Sequence, residues 1–284
     1  MTVAGVVGLG TMGSGIVRLL ARSGIIVRGY DPQPVAGDRL TDEGLASFTT
    51  TTSIEDCVHG ADIVFEAVHE TLEAKAPVLR SISAATNGVI ASNTSTLMPS
   101  TMTGFVDRPE RFLVAHFFNP PEIVPLVEVI PAPETSEEVK EQIMEILRHL
   151  GSTPVLLDRE YPGFVANRLQ AAILREALHL VEEGIVSPEN LDEVVRTGLG
   201  PRWSVAGPIG VADLGGLDIF ERVCAELFPR LSNASQPPEA LTERVAEGDL
   251  GAKSGRGFYR HTKEADGEHF DQMAALFAQL RKGN

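Results

Sequence analysis

Apolar and polar positions change rhythm twice along this chain. In the first half, short β-branched runs alternate with segments whose apolar residues recur at helical spacing. "VAGVV" (3–7), "IIVRGY" (25–30), "ADIVFEAV" (61–68), "GVIASN" (88–93), "FLVAHFF" (112–118), "PLVEVI" (125–130) and "TPVLLD" (153–158) read as strands. Helices are predicted over 11–23, from "SIED" (53–56), a capping box, over 71–84, and over 136–151. In the last of these, Val139, Ile143, Leu147 and Leu150 share one face. Gly24 stands where a helix end commonly needs a left-handed residue. Strands alternating with helices predict an α/β fold with a doubly wound, mainly parallel sheet. After "REYPG" (159–163) the β-rich runs stop. "FVANRLQAAILREALHLVEEG" (164–184) reads as one long helix, and "SPENLDEVVRTG" (187–198) opens another with Ser187 as N-cap and Pro188 in its first turn. The expected organisation is an α/β domain at 1–160 and a second, all-helical domain at 161–284.

Composition narrows the function. Apolar residues are 43% of the 284, enough for a substantial core. The formal charge of −15 argues against a nucleic-acid partner, whose phosphates need clustered Lys and Arg. A small anion is still compatible, since a helix N-terminus can hold one. Cys57 and Cys224 are the only cysteines, too few for a disulfide framework or a zinc site. That usage fits a reducing cytoplasm. The start "MTVAGVVGLG" lacks the pattern of a signal peptide, and no apolar run reaches membrane-spanning length, so no membrane association is expected.

"VVGLGTMGSG" carries Gly8, Gly10 and Gly13 at G-x-G-x-x-G spacing between a strand and a helix. The first glycine permits the tight turn, the second lets backbone approach a pyrophosphate, and the third lets helix and strand pack closely. Asp31 ends the second strand, 18 residues beyond Gly13. A carboxylate there accepts hydrogen bonds from ribose hydroxyls and repels a 2′-phosphate, and no Arg follows at once to receive one. The reading is a Rossmann-type domain that binds NAD rather than NADP; the bland alternative is a glycine turn beside a surface Asp.

Ser95, His116, Glu128 and Asn167 are the polar residues with catalytic promise. Oxidising an alcohol by hydride transfer needs a base for the hydroxyl proton and donors on the oxygen. His116 suits the first task, with Glu128 fixing its tautomer, and Ser95 and Asn167 suit the second. Pro120, Pro121 and Pro125 break the chain between His116 and Glu128, so the flanking strands can lie close. On residue types alone, a core histidine with one satisfied hydrogen bond is the more usual reading of His116.

"GLGTMGSGI", "SNTSTL" (92–97), "AHFFNPP…PLVEVI" (115–130), "PGFVANRL" (162–169) and "KSGRGFY" (253–259) together resemble the L-3-hydroxyacyl-CoA dehydrogenase superfamily, in its order and near its spacing. The resemblance covers almost the whole chain. It implies that His116 is the base, that Glu128 orients it, and that Ser95 and Asn167 contact substrate oxygen or cofactor. It also implies cofactor contacts from Glu66, Lys75, Asn93, Thr11 and Met12. The Asn usual in the stretch around Glu70 and Thr71 is replaced, which puts that local contact in question. The helical domain of the family usually builds a homodimer. The second half, with "HLVEEGIVSPENLD" and "GLGPRWSVAGP", leans to the lambda-crystallin and L-gulonate 3-dehydrogenase branch, and L-carnitine dehydrogenases are similar there too.

Two departures bear on substrate. Acyl-CoA members carry a long helical hairpin after the second strand, and here only 29 residues separate Asp31 from Ala61. Arg202, followed by the only tryptophan, Trp203, could clamp a free carboxylate bidentately. A surface or interface salt bridge is the other reading of Arg202, and packing the simpler one of Trp203. Lys253 and Arg256 sit in a glycine turn and are weaker candidates for a phosphate contact. The expected activity is NAD-dependent oxidation of the 3-hydroxyl of a short 3-hydroxyacyl thioester or 3-hydroxy acid, in a cleft between the domains. A free 3-hydroxy-carboxylate dehydrogenase without CoA is the alternative, and a crystallin-like or NAD-binding protein without turnover the non-enzymatic one. The 6-phosphogluconate and hydroxyisobutyrate dehydrogenase group shares "GLGTMG" but uses a lysine on a helix that here, over 163–184, contains none.

Overall fold

A computed structural model describes residues 2–282. In chain order the first half forms β1 (Val3–Val7), α1 (Thr11–Arg22), β2 (Ile26–Tyr30), α2 (Pro34–Asp42), β3 (Phe48–Thr50), α3 (Ile54–Val58), β4 (Ile63–Glu66), α4 (Leu72–Ala85), β5 (Val89–Ser92), β6 (Phe112–Phe117), β7 (Leu126–Pro131), α5 (Glu137–His149) and β8 (Thr153–Leu156). The eight strands make one sheet in the order β3-β2-β1-β4-β5-β6-β7-β8. All neighbours are parallel except β6 and β7, which pair antiparallel with His116 opposite Glu128. The Rossmann-type α/β reading is thus correct.

Strand alternation builds two cores, one on each face. On β6, Leu113, Ala115 and Phe117 join Ile16, Val17 and Leu20 of α1 and Val139, Ile143 and Leu147 of α5. Phe112 and Val114 face the other way, toward Leu79 and Ile82 of α4 and Cys57 and Val58 of α3. Both faces are covered, which is why these strands read as continuous apolar runs. Burying each Ile or Leu contributes roughly 1.5–3 kcal/mol. Helix starts follow the side chains: Ser53, Thr71 and Ser136 each accept a hydrogen bond from the backbone N–H three residues on.

The periodicity gave no sign of α2 or β3. Nine residues make α2 and three make edge strand β3 within the polar stretch after Asp31. Their apolar contacts are few, mainly Leu40 and Phe48, so no repeating pattern betrays them.

Compact packing divides the chain into a first unit, through Val165 and again from Asp271, and a second, Ala166–Phe270. The expected boundary lay at 160, and the expected end at 284 lies outside the described residues. The long helix begins at Ala166 rather than 164 because Phe164 has left-handed backbone, φ 52°. The second unit contains α6 (Ala166–Glu182), α7 (Pro188–Val194), a π-helical turn over 195–199, α8 (Gly200–Gly215), α9 (Leu217–Leu227) and α10 (Glu239–Ala246). Helix α8 is broken at Gly207, φ 67°, just before Pro208. The last helix, α11 (Lys263–Lys282), runs across the division. No described helix is long and apolar enough to cross a membrane.

Candidate active site

Strand parity decides which polar residues meet. Glu66 follows Val64 on β4, Ser92 follows Ile90 on β5, and His116 follows Val114 on β6, each two positions along the same sheet face. Glu66 is in register with Ser92, Ser92 with Val114, and His116 with Glu128. All four polar side chains therefore lie on one face at the carboxyl ends of β4, β5 and β6, where open α/β sheets place their ligands. The chain order reverses at β1, flanked by β2 and β4, which makes the loop after β1 the switch point.

The paired histidine and glutamate form a dyad. His116 Nδ1 lies 2.9 Å from Glu128 Oε2, and both residues are buried. A carboxylate only accepts, so this pairing assigns a proton to Nδ1 and makes Nε2 the nitrogen that can exchange a proton with a substrate. The other glutamate oxygen, Oε1, accepts from the backbone N–H of Val165 at 3.0 Å. Phe118 and Phe164 lie against the imidazole, with centroids 4.5 and 5.5 Å away. The segment that joins β6 and β7 is seated on α1: Arg18 reaches Glu122 at 3.1 Å, and a Cβ on Gly15 would stand 2.8 Å from Pro121. The prolines thus lie in the connection that returns β7 beside β6. Neither Val165, Phe118 nor Phe164 was expected at the site; the "PGFV" stretch carried the only hint, through its neighbour Asn167.

The glycine loop fits a dinucleotide. Gly8 has φ 93°, and any Cβ there would strike the Ala67 backbone at 2.7 Å. A Cβ on Gly13 would fall 1.8 Å from the Gly8 carbonyl oxygen, so helix and strand touch there. Around Gly10 nothing lies within 4 Å, which leaves the backbone open for a pyrophosphate at the α1 N-terminus. Thr11 is exposed and Met12 half-buried in the same turn. Asp31 is held by two backbone donors, Leu9 N–H on Oδ2 and Gln33 N–H on Oδ1, both at 2.8 Å. It lines a cavity of about 360 Å³ with Leu9, Pro32, Gly37 and Thr50–Thr52, and its remaining lone pairs suit ribose hydroxyls. These residues would hold NAD.

Glu66 and Lys75, the two cofactor candidates after β4, form a buried ion pair. Both are fully buried, and Lys75 Nζ sits 2.8 Å from Glu66 Oε1. Glu66 also accepts from Ser92 Oγ and from Val68 N–H. The carboxylate at the accessible rim is Glu70, which sequence reasoning did not single out as a site residue. Its Oε1 accepts from Thr94 Oγ1, from Ser95 N–H at 2.7 Å and from Thr96 N–H at 3.1 Å, and Lys75 stands 3.4 Å from its other oxygen. Burial works to raise the Glu70 pKa, but the Thr94 hydroxyl, the Lys75 charge and the two N–H donors outweigh it and lower the value. Glu70 thereby shapes the turn that presents Ser95. Asn93 is buried, and its Oδ1 accepts from Phe117 N–H at 3.0 Å, which ties the end of β6 to that turn.

The other two candidates belong to the second unit. Asn167 is in the first turn of α6. Arg202 is on α8 and lines a cavity of about 480 Å³ with Pro201, Val205, Ala206, Val211 and Leu214. Among the described residues, no carboxylate lies within ion-pair distance of Arg202. Arg256, by contrast, is bound to Asp249 at 2.7 Å. The first unit alone therefore pairs an imidazole with a buried carboxylate in the same sheet whose β1 leads into the glycine loop.

Comparison with known proteins agrees with this chemistry. Residues 35–161 match the family of 3-hydroxyacyl-CoA dehydrogenase NAD binding domains, and residues 163–261 match the family of 3-hydroxyacyl-CoA dehydrogenase C-terminal domains. The 5-formyl-3-hydroxy-2-methylpyridine 4-carboxylate 5-dehydrogenase of Mesorhizobium japonicum is 36% identical, with 91% of this chain and 90% of that one covered. A probable 3-hydroxybutyryl-CoA dehydrogenase of Bacillus subtilis is 34% identical, with 91% and 97% covered. A solved structure of a 5-formyl-3-hydroxy-2-methylpyridine 4-carboxylic acid 5-dehydrogenase, described as an NAD+ dependent dismutase, superposes with a TM-score of 0.91 at 34% identity, with 98% of each chain covered. With a dinucleotide loop, a paired His and Glu at the strand ends, and both domain families matched in order, this chain belongs to the 3-hydroxyacyl-CoA dehydrogenase family and is an NAD-dependent oxidoreductase acting on CH–OH donors.

Proposed function

We propose that the hydroxyl donor is a small free carboxylate, a 3-hydroxy acid rather than a CoA thioester. The observation that carries this reading is the interval after β2. It folds as the nine-residue α2 and the three-residue β3, where the acyl-CoA members carry a long hairpin that helps hold CoA. Arg202, with no carboxylate at ion-pair distance among the described residues, lines a mainly apolar pocket and supplies a bidentate donor for the substrate carboxylate. The Mesorhizobium relative acts on a compound that is a free carboxylate by name.

In this reading, NAD supplies the hydride acceptor when bound. His116 takes the hydroxyl proton at Nε2, and Glu128 stabilises the imidazolium that forms. Ser95 and Asn167 donate to the substrate oxygen, and in the reverse direction His116 returns the proton. A second reading is favoured by the TM-score of 0.91: an aldehyde hydrate presents the same hydroxyl to His116, and loss of that proton with the hydride leaves a carboxylic acid. The proposal includes a homodimer, supported by the large apolar side chains the second unit exposes, among them Val205, Ile209 and Leu214. Sedimentation equilibrium tests it, and a monomer at micromolar concentration rejects it. A cytoplasmic location is also proposed, on the two free thiols.

Initial rates of NADH formation decide the substrate class. The panel is 3-hydroxybutyryl-CoA, 3-hydroxybutyrate, L-carnitine, L-gulonate and 5-formyl-3-hydroxy-2-methylpyridine 4-carboxylate. A free acid is expected to give the highest kcat/KM, and Arg202→Met to raise its KM at least about tenfold, the worth of one charged hydrogen bond. A preference for 3-hydroxybutyryl-CoA, or kinetics unchanged in the Met variant, overturns the reading.

A further inference from the structure

Among the described residues Phe164 is the one non-glycine residue with positive φ, 52°, directly after Gly163 at 78°. An L side chain is strained there, and glycine would make the same turn without cost. The turn itself is closed by the Phe164 N–H, which donates to the Tyr161 carbonyl at 2.9 Å, a bond any residue supplies. What a glycine would lose is the ring, which is 1% exposed.

Two consecutive residues of this turn touch both members of the dyad. The Phe164 ring lies 5.5 Å from the His116 ring, tilted by 55°. The Val165 N–H holds Glu128 Oε1 at 3.0 Å, which leaves Oε2 for Nδ1. Phe118, from the connection after β6, packs on the imidazole at 4.5 Å with a tilt of 50°. The imidazole is therefore packed by two rings, and its acid is held by a backbone donor of the same turn. The left-handed backbone at 164 is what lets the ring point back to His116 while the next N–H points at Glu128.

We propose that Phe164 is a positioning residue for the family reaction: its strained turn fixes the plane of the His116 ring and keeps water from competing for the Nδ1–H to Glu128 bond. The inference rests on the dyad being the proton-transfer group and does not depend on which substrate is used. Its test therefore reads the proton directly.

In full-length protein labelled with 15N-histidine, the His116 Nδ1–H resonance is identified by its loss in His116→Ala, and its exchange with water is measured. Wild type is expected to show a protected, slowly exchanging proton. Phe164→Ala is expected to speed exchange at least about tenfold, because the opening that admits water becomes easier. Phe164→Leu, which keeps apolar bulk without a flat face, is expected to speed it about threefold. NAD+ binding by calorimetry should stay within about twofold of wild type in both variants, since the Phe164 ring packs on His116 of β6, and β4 and β5 lie between that strand and β1, which leads into the glycine loop. If the Ala variant does not fold, the Leu variant decides. Wild-type exchange in a variant that binds NAD+, loss of NAD+ binding in both variants, or an unprotected His116 proton in wild type each overturns the proposal.

Discussion

Replacing Glu128 by Gln tests the dyad most sharply, because two contacts of the carboxylate favour one way for the amide to sit. Glu128 Oε1 accepts from Val165 N–H at 3.0 Å, and Oε2 accepts from His116 Nδ1 at 2.9 Å. A glutamine has one carbonyl oxygen and one NH2. With the NH2 toward Val165, two donors would face each other at hydrogen-bond distance in a buried site, which costs about 1–3 kcal/mol. The oxygen therefore stays with Val165, and the NH2 faces Nδ1. His116 must then accept at Nδ1 and carry its proton on Nε2, the nitrogen that has to receive the substrate proton. The variant keeps shape, packing and the Val165 bond while holding the base in the wrong tautomer. A wrong tautomer of this kind costs about 10⁴ in kcat, or roughly 5 kcal/mol of transition-state stabilisation. NADH formation over the substrate panel gives kcat and KM, and KM for NAD+ should change less than about twofold because the glycine loop is untouched. Combined with His116→Ala, the same change should cost almost nothing further, since the two residues act as one unit. Retention of kcat within about tenfold of wild type in Glu128→Gln would refute the reasoning.

The three other predictions use contacts of the same unit. Gly10→Ala should leave thermal stability within about 0.5 kcal/mol, since no atom lies within 4 Å of its Cβ, yet weaken NAD+ binding at least tenfold; Gly13→Ala, 1.8 Å from the Gly8 oxygen, should cost about 3 kcal/mol or more in urea unfolding. Lys75→Met should lose about 3–5 kcal/mol by leaving Glu66 buried without its ion-pair partner, and Lys75→Met with Glu66→Leu should recover much of it; equal loss in both would show that packing, not the pair, is responsible. Glu70 has its folded pKa lowered, so its contribution is complete above the unfolded carboxylate value of about 4.3 and is lost as pH falls through the lower folded value. Urea midpoints should accordingly drop on acidification more for wild type than for Glu70→Gln, and parallel curves would remove Glu70 from the acid response.

Much of the site was legible because its signals are local. Gly8, Gly10 and Gly13 are needed for backbone reasons that spacing alone exposes, and Asp31 directly follows a strand whose length is readable. The helix start at Ser53 announced itself through a side chain that bonds its own backbone. Glu66 and Glu70 show the limit. Four residues apart, they are both carboxylates, and only the fold shows that strand β4 buries the first while the loop leaves the second partly exposed. Helix α2 was illegible for a different reason, since it buries little more than Leu40.

By itself the sequence determined that strands alternate with helices up to about residue 158, that the loop after the first strand can cradle a pyrophosphate, and that His116 and Glu128 sit on neighbouring apolar runs. These follow from periodicity and from backbone freedom, which are properties of short segments. Only the tertiary structure decided that β6 and β7 run antiparallel with those two residues in register, so that twelve positions of chain separate atoms 2.9 Å apart. It alone put Phe164 in a left-handed turn against the imidazole and Val165 on the glutamate. Pairing direction and the return of a distant turn depend on contacts between segments far apart in the chain, and no local pattern encodes them.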